Sequence, residues 1–374
     1  MQDVVQLRPE GLYCPAGRFY IDPWRPVDTA VLTHGHGDHA RAGMGCYHTS
    51  AQGLPILQWR LGQQDYRVHE YGETFTLGNA RVSLHSAGHV LGSAQVRIEV
   101  DGQVWVVSGD YKRQPDPTCA PFEVVPCDTF ITEATFGLPI YRWPDTSDVA
   151  RDIVQWRDHC AARGEAAILY CYALGKAQRV LAELAPWIDR PVYLHGAIAA
   201  GVDVYRQAGI AMADTRLVID ASGTRAAPAQ AGVAAAGAAA ADAAAADAAA
   251  ADAAAAVADA ITDAADVARS GFAGELILAP PSAAGSSWLR RFRKAQHGFA
   301  SGWMRLRGNR RRRNMDRGFV VSDHADWPAL LRTIRETGAR RVIATHGDTD
   351  ALVRILNETG TAAETLATQY GEDD

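Results

Sequence analysis

Thr33-His34-Gly35-His36-Gly37-Asp38-His39 follows directly on the apolar run Ala30-Val31-Leu32 and sets the reading of the whole chain. Three imidazoles and a carboxylate fall between positions 34 and 39. Imidazole nitrogens and carboxylate oxygens suit zinc, manganese or iron, and packing them this densely is unfavourable unless a cation gathers them. Gly35 and Gly37 let the backbone turn tightly enough for His34 and His36 to face one ion while Asp38 and His39 face another. The stretch therefore predicts a two-metal loop at the end of a strand, in preference to a solvated histidine-rich turn.

The 374 residues suffice for one large or two ordinary domains with a substantial core. A formal charge of -6 gives no whole-chain sign of a polyanionic partner, so any such evidence must be local. Six cysteines (Cys14, Cys46, Cys119, Cys127, Cys160, Cys171) show no C-x-x-C spacing and read as reduced core residues. The N-terminus lacks the basic and apolar regions of a signal peptide, and no apolar run reaches membrane-spanning length, so a cytoplasmic protein is expected.

Up to about residue 140 the pattern is of short strands and turns. Val4–Leu7, Phe19–Ile21, Ala30–Thr33, Thr74–Leu77, Arg81–His85, Ala94–Val100 and Gln103–Val107 are β-branched or alternating, with Asp101-Gly102 as a hairpin turn. His39-Ala40-Arg41-Ala42 is expected to open a helix that Asp38 could cap. Another strand spans Thr129 to Gly137 and carries Glu133. After Trp143-Pro144 the period changes: Ser147 is expected to cap an amphipathic helix through Val149, Ile153 and Trp156. Strands at Ala166–Tyr172, Pro191–Leu194 and Leu276–Ala279, with a helix opening at Leu174–Arg179, give the alternation of a small parallel sheet. Residues 141 to 315 are therefore expected to form an inserted α/β domain, with 316 to 374 returning to the first. Gly175-Lys176 at a helix N-terminus could hold a phosphate, or could be a plain strand-to-helix turn. Residues 226 to 256 are an alanine-rich insertion with Asp242, Asp247 and Asp252 at a period of five, and no function attaches to it.

The charge then changes sign. Trp288-Leu289-Arg290-Arg291-Phe292-Arg293-Lys294 and Trp303 to Arg313 interleave basic and aromatic residues. Arg310, Arg311, Arg312 and Arg313 are candidates for contact with a nucleic-acid backbone, against the alternative of a solvated face. Two further histidines end apolar runs, His324 in Phe319 to Trp327 and His346 in Arg341 to Asp348. His48, His69, His85, His159, His195 and His297 have no such setting and read as structural or surface residues.

The loop His34 to His39 resembles the signature of the metallo-β-lactamase superfamily. Its later ligands have counterparts here in His89, within Ser86-Ala87-Gly88-His89-Val90-Leu91-Gly92-Ser93, and Asp110, within Val106-Val107-Ser108-Gly109-Asp110-Tyr111. Asp22 matches the first motif, a carboxylate supporting the ligand loop from behind; it also reads as an ordinary strand-end aspartate. The Gly88-His89 phrase, Glu133 before Ala134-Thr135-Phe136-Gly137, Tyr172 to Arg179, His324 and His346 resemble the β-CASP nucleases of that superfamily. The resemblance implies a metallo-β-lactamase αββα sandwich with an inserted β-CASP α/β domain. It implies one divalent ion on His34, His36 and His89, a second on Asp38, His39 and His346, and Asp110 bridging them. Zinc is the expected metal, manganese the alternative. A hydroxide shared by both ions would attack a phosphodiester, with His324 as the acid on the leaving oxygen and Glu133 orienting it; Asp38, Glu133 and His324 are the catalytic candidates, and Lys176 a phosphate contact.

Phrases such as Tyr13-Cys14-Pro15-Ala16-Gly17 and Ile21-Asp22-Pro23-Trp24 resemble bacterial ligase-associated DNA exonucleases. That subfamily implies a DNA-repair exonuclease acting beside an ATP-dependent DNA ligase and a helicase. His346 is typical of the RNA-processing members and keeps an RNA substrate open. A small-ester or thioester hydrolase is the third reading, against which Glu133, His324 and the arginines argue; a noncatalytic nucleic-acid scaffold is the fourth, against which the full ligand set argues.

Overall fold

The structure is a computed structural model that describes residues 3–218 and 266–369. The described residues form a mixed α/β fold of three sheets. The alanine-rich segment 226 to 256 lies outside the described residues.

The first sheet takes its six strands in chain order: Gln6–Arg8, Gly11–Cys14, Phe19–Ile21, Thr29–Val31, Cys46–Ser50 and Tyr66–His69. The second has seven, ordered in space Ala362–Thr365, Arg341–Gly347, Thr129–Ala134, Gln103–Val107, Ala94–Val100, Ala80–Ser86 and Thr74–Leu77. Alternation along these strands explains the layers. Val107, Ile131 and Ile343 point to a core shared with Leu12, Phe19, Ile21 and Val31 of the first sheet. The intervening residues Val106, Phe130, Val342 and Ala344 point outward and are covered by the helices Trp327–Thr337 and Thr349–Glu358. Each valine, isoleucine or phenylalanine side chain so removed from water contributes roughly 1.5–3 kcal/mol. On the other side, Ala30, Leu32 and Tyr47 pack with Leu57 of the helix Leu54–Leu61.

The third sheet is wholly parallel, in the order Thr215–Leu217, Val192–Leu194, Leu276–Ala279, Ala166–Tyr170, Ala295–Ala300 and Arg317–Phe319. All five residues of Ala166–Tyr170 are buried, as expected of a strand covered on both faces. The chain leaves the second sheet after Thr129–Ala134 and returns in Arg341–Gly347, which pairs with that same strand in parallel. Among the described residues no helix is long and apolar enough to cross a membrane. All six cysteines are free thiols.

Several local expectations are corrected. Residues 39 to 42 form no helix: Ala40 N–H donates to the His36 carbonyl for a single turn, after which the chain runs on to Cys46–Ser50. Asp38 therefore caps nothing. The helix Thr146–Ala162 is capped by Asp145, whose carboxylate accepts from Ser147 N–H at 2.8 Å and from the Ser147 hydroxyl at 2.7 Å. Thr33 leaves its strand, which ends at Val31, because Asp22 takes its amide and hydroxyl.

Candidate metal centre

In the second sheet, Ala80–Ser86 runs in the same direction as Gln103–Val107, Thr129–Ala134 and Arg341–Gly347. His89, Asp110, Glu133 and His346 therefore emerge along one edge, each at or just beyond the end of a strand. His346 is the extra residue of a β-bulge, since Glu133 pairs with Thr345 and Ala134 with Gly347. Its φ of +65° is a left-handed conformation that costs a non-glycine residue free energy, and it re-aims the imidazole toward Asp110. Gly109, at φ +55°, lets the chain pass Thr33; a Cβ there would lie 2.6 Å from the Thr33 side chain.

Hydrogen bonds fix the tautomers. His39 Nδ1–H donates to Asp22 at 2.7 Å, and His89 Nδ1–H to the Asp323 carbonyl at 2.8 Å. His34 Nδ1–H donates at 3.0 Å to the Thr33 hydroxyl, whose own proton goes to Asp22. His36 Nε2–H donates at 3.3 Å to the Leu174 carbonyl. In the neutral imidazole the other ring nitrogen of each residue then presents a lone pair. His36 Nδ1 lies 3.1 Å from both His34 Nε2 and His89 Nε2, so three acceptors face one another. Burial pushes His34 and His89 well below the ordinary imidazole range, reinforced by neighbouring rings, which keeps both in the neutral form that binds metal.

Beside them, His39 Nε2 lies 3.3 Å from Asp38 and 3.5 Å from Asp110. Burial alone would keep His39 neutral, but the Asp110, Asp38 and Asp22 carboxylates together raise it well above its ordinary value. His346 Nδ1 is 3.9 Å from Asp110. Asp110 is 1 % exposed and neither carboxylate oxygen accepts a hydrogen bond among the described residues. A carboxylate so placed costs several kcal/mol unless a cation compensates it. The donor set thus fits divalent cations, in two adjoining groups: His34, His36, His89 and Asp110, and Asp38, His39 and His346.

Glu133 and His324 stand at the margin. Glu133 accepts from His324 Nδ1–H at 2.8 Å, from Thr135 at 2.6 Å and from Tyr111 N–H at 2.7 Å. Burial works against a charged His324, yet Glu133 outweighs it and raises the imidazole to about 9. The His324 ring lies 4.8 Å from that of His89, and both line a cavity with His36, Tyr172 and Leu174. Gly175, at φ +83°, brings this loop in; a Cβ there would come within 2.4 Å of Val90.

The remaining candidates are placed differently. Lys176 does not reach open surface: it is 1 % exposed, with its ammonium 3.7 Å from Asp323. Arg310 to Arg313 lie on and just after the short helix Arg307–Arg312; Arg311 and Arg313 are exposed, and Arg313 stacks over Phe299 at 4.8 Å. Trp303, just ahead of them, packs 4.9 Å from Phe136, which is 6.0 Å from His324. The carbonyls of Leu174 and Asp323 escaped sequence reading because a backbone acceptor carries no residue-type signal. So did Arg179, whose partner Ser322 is 143 positions away.

No family model matches the chain. It is 26% identical over 212 residues to an RNase J-like protein of Methanocaldococcus jannaschii, covering 48% of this chain and 50% of that protein. The names of its homologues indicate the metallo-β-lactamase/β-CASP nuclease group. Members of this group use divalent metals, in keeping with the acceptor cluster. A protein of Opitutus terrae named a probable DNA ligase is 27% identical over 337 residues, 89% of this chain but 28% of that protein. The chain thus spans half or less of the length of these curated relatives. A crystal structure of a protein of unknown function from Enterococcus faecalis V583 shares the fold at a TM-score of 0.55, with 12% identity, covering 92% of this chain and 80% of that one.

Proposed function

We propose that this chain is a metal-dependent DNA exonuclease that hydrolyses phosphodiester bonds in DNA repair. The observation that carries the hydrolytic reading is the Glu133–His324 pair, an imidazole whose Nδ1 is held 2.8 Å from a buried carboxylate beside the acceptor cluster. The four layers of the first two sheets and their helices read as the metallo-β-lactamase αββα sandwich, contributed by residues 1–140 and 316–374. Residues 141–315 read as the inserted β-CASP domain, whose sheet runs on to Arg317–Phe319.

His34, His36 and His89 would hold one ion, Asp38, His39 and His346 the other, with Asp110 between; zinc suits this set and manganese is the alternative. When bound, two such ions supply Lewis acidity toward the phosphodiester and the attacking water. The protein's own part is to orient and to move a proton. Asp22, 1 % exposed, holds Thr33 and His39 and so fixes the ligand loop. His324 has Nδ1–H committed to Glu133, which leaves Nε2–H as the proton for the leaving 3′ oxygen. Arg310 to Arg313 would track the backbone of the strand, from a segment joined to His324 through Trp303 and Phe136.

DNA is preferred because the similarity to the ligase-named Opitutus protein covers 89% of this chain. A segment of this kind within a ligase-named chain also supports action beside a DNA ligase; ATP dependence and a helicase partner are carried over from the resemblance alone. The second reading, an RNA-processing nuclease, is favoured by His346 and by the RNase J-like relative. Digestion of matched single-stranded DNA and RNA oligonucleotides labelled at either end, with zinc or manganese, separates the two. DNA shortened from one end, and untouched by Asp38→Ala, is the expected result; cleavage of RNA alone moves the chain to RNA processing, and cleavage of neither overturns the nuclease reading.

A further inference from the structure

A second buried ionic cluster adjoins the metal centre. Arg179 projects from the helix Lys176–Leu184 of the third-sheet unit and is 1 % exposed. Its guanidinium donates to the Ser322 carbonyl and lies 3.3 Å from the Asp323 carboxylate. On its other side it lies 3.3 Å from Asp116, which Lys112 approaches to 3.2 Å and Thr118 binds through amide and hydroxyl at 2.9 and 2.6 Å. Lys176 reaches Asp323 from the same helix at 3.7 Å. The segment so clamped, Ser322-Asp323-His324, supplies both the carbonyl that orients His89 and the imidazole held by Glu133. The Ser322 hydroxyl accepts from His324 N–H at 3.2 Å.

We infer that Arg179 is a positioning residue, through which the third-sheet unit sets where His324 stands relative to the metal centre. The inference rests on reading His324 as the proton donor. A lysine cannot span the same contacts: the planar fork reaches Ser322, Asp323 and Asp116 from one side chain, whereas an ammonium is a single point of charge on a flexible stem. Arg179→Lys should therefore keep the fold and the charge while loosening the segment.

The test compares two substrates in the metal-loaded protein. A single-stranded oligonucleotide has an alkoxide leaving group that needs a proton, whereas a p-nitrophenyl phosphodiester has one that leaves without it. Loss of general-acid function costs roughly 10²–10⁴-fold. Arg179→Lys is expected to lower kcat on the oligonucleotide by about 10²-fold, toward that of His324→Ala. Assayed at saturating metal, KM and p-nitrophenyl ester turnover should stay close to wild type. In the His324→Ala background Arg179→Lys should add no further loss, since the two act as one unit. At saturating metal, equal loss on both substrates, a further loss in the double variant, or unchanged oligonucleotide turnover would each overturn the inference. Should Arg179→Lys not fold, Asp323→Asn removes the charge that Arg179 holds at nearly the same size and is read in the same way. A wild-type protein that cleaves the p-nitrophenyl ester and no oligonucleotide would instead count against the nuclease reading, and an active His324→Ala against the donor role.

Discussion

Two buried charged clusters lie on either side of the Asp323–His89 hydrogen bond, and they solve the same problem in opposite ways. The clamp around Arg179 sets three cations, Lys112, Lys176 and Arg179, against two carboxylates, Asp116 and Asp323, so each charge meets its opposite within the protein. The neighbouring group presents lone pairs of His34, His36 and His89 to one another, with Asp110 beside them, whose carboxylate oxygens accept no hydrogen bond among the described residues. Burial is similar; the balance of donors and acceptors is not. A cluster whose charges pair within the protein is scaffold, whereas one of facing acceptors asks for a cation from outside.

The largest consequence should come from removing an acceptor at the centre of the second cluster. Asp110→Ala and Asp38→Ala are expected to abolish cleavage and deplete bound metal, read by elemental analysis and oligonucleotide digestion; retained metal and activity in Asp110→Ala would mean the two clusters differ less than their hydrogen bonds indicate. Chelation should act on the same cluster alone. It is expected to lower the melting temperature reversibly, because a ligand at a thousandfold its Kd stabilises by about 4 kcal/mol. His324→Ala comes next, with turnover down roughly 10²–10⁴-fold and metal content unchanged; metal loss in that variant would move His324 from proton donor to ligand.

Asp22→Asn should have a smaller effect. An asparagine can still turn an acceptor toward one partner but no longer anchors His39 Nδ1–H by charge, so metal affinity should fall by roughly 10–100-fold while cleavage at saturating metal is largely restored. Titration of metal against activity reads this directly, and unchanged affinity would make Asp22 an ordinary strand-end residue. The smallest change is expected far from both clusters. Replacing Arg310 to Arg313 with glutamine should weaken oligonucleotide binding several-fold at low salt and flatten its salt dependence, each lost phosphate contact on a single strand reducing the slope by about 0.7. Identical salt slopes would leave those arginines as a solvated face.

Much of this arrangement could be read from the residues. His34 to His39 are legible as candidate ligands because residue type and spacing are contiguous, and the structure gathers them into one cluster; the strands Leu276–Ala279 and Gln103–Val107 are visible in apolar patterning. Glu133, His324 and His346 were legible as histidines or carboxylates ending apolar runs, and the structure brings them to one edge. Local signals failed where a distant partner overruled them. Asp22, at φ +43°, captures Thr33 and ends its strand early; the turn at 37 to 39 never becomes a helix. Lys176, which at a helix start looked free to meet a phosphate, is turned inward by Asp323.

The division follows from the range of the forces involved. Metal-ligand chemistry, strand alternation and turn residues act over a few neighbouring positions, so their pattern survives in the linear chain. Which carbonyl orients His36 or His89, and whether Arg179 reaches Ser322, depends on groups 138, 234 and 143 positions apart. Those pairings exist once three sheets have packed, because close packing and the cost of leaving a buried polar group unpartnered select them, and neither is written in any local stretch.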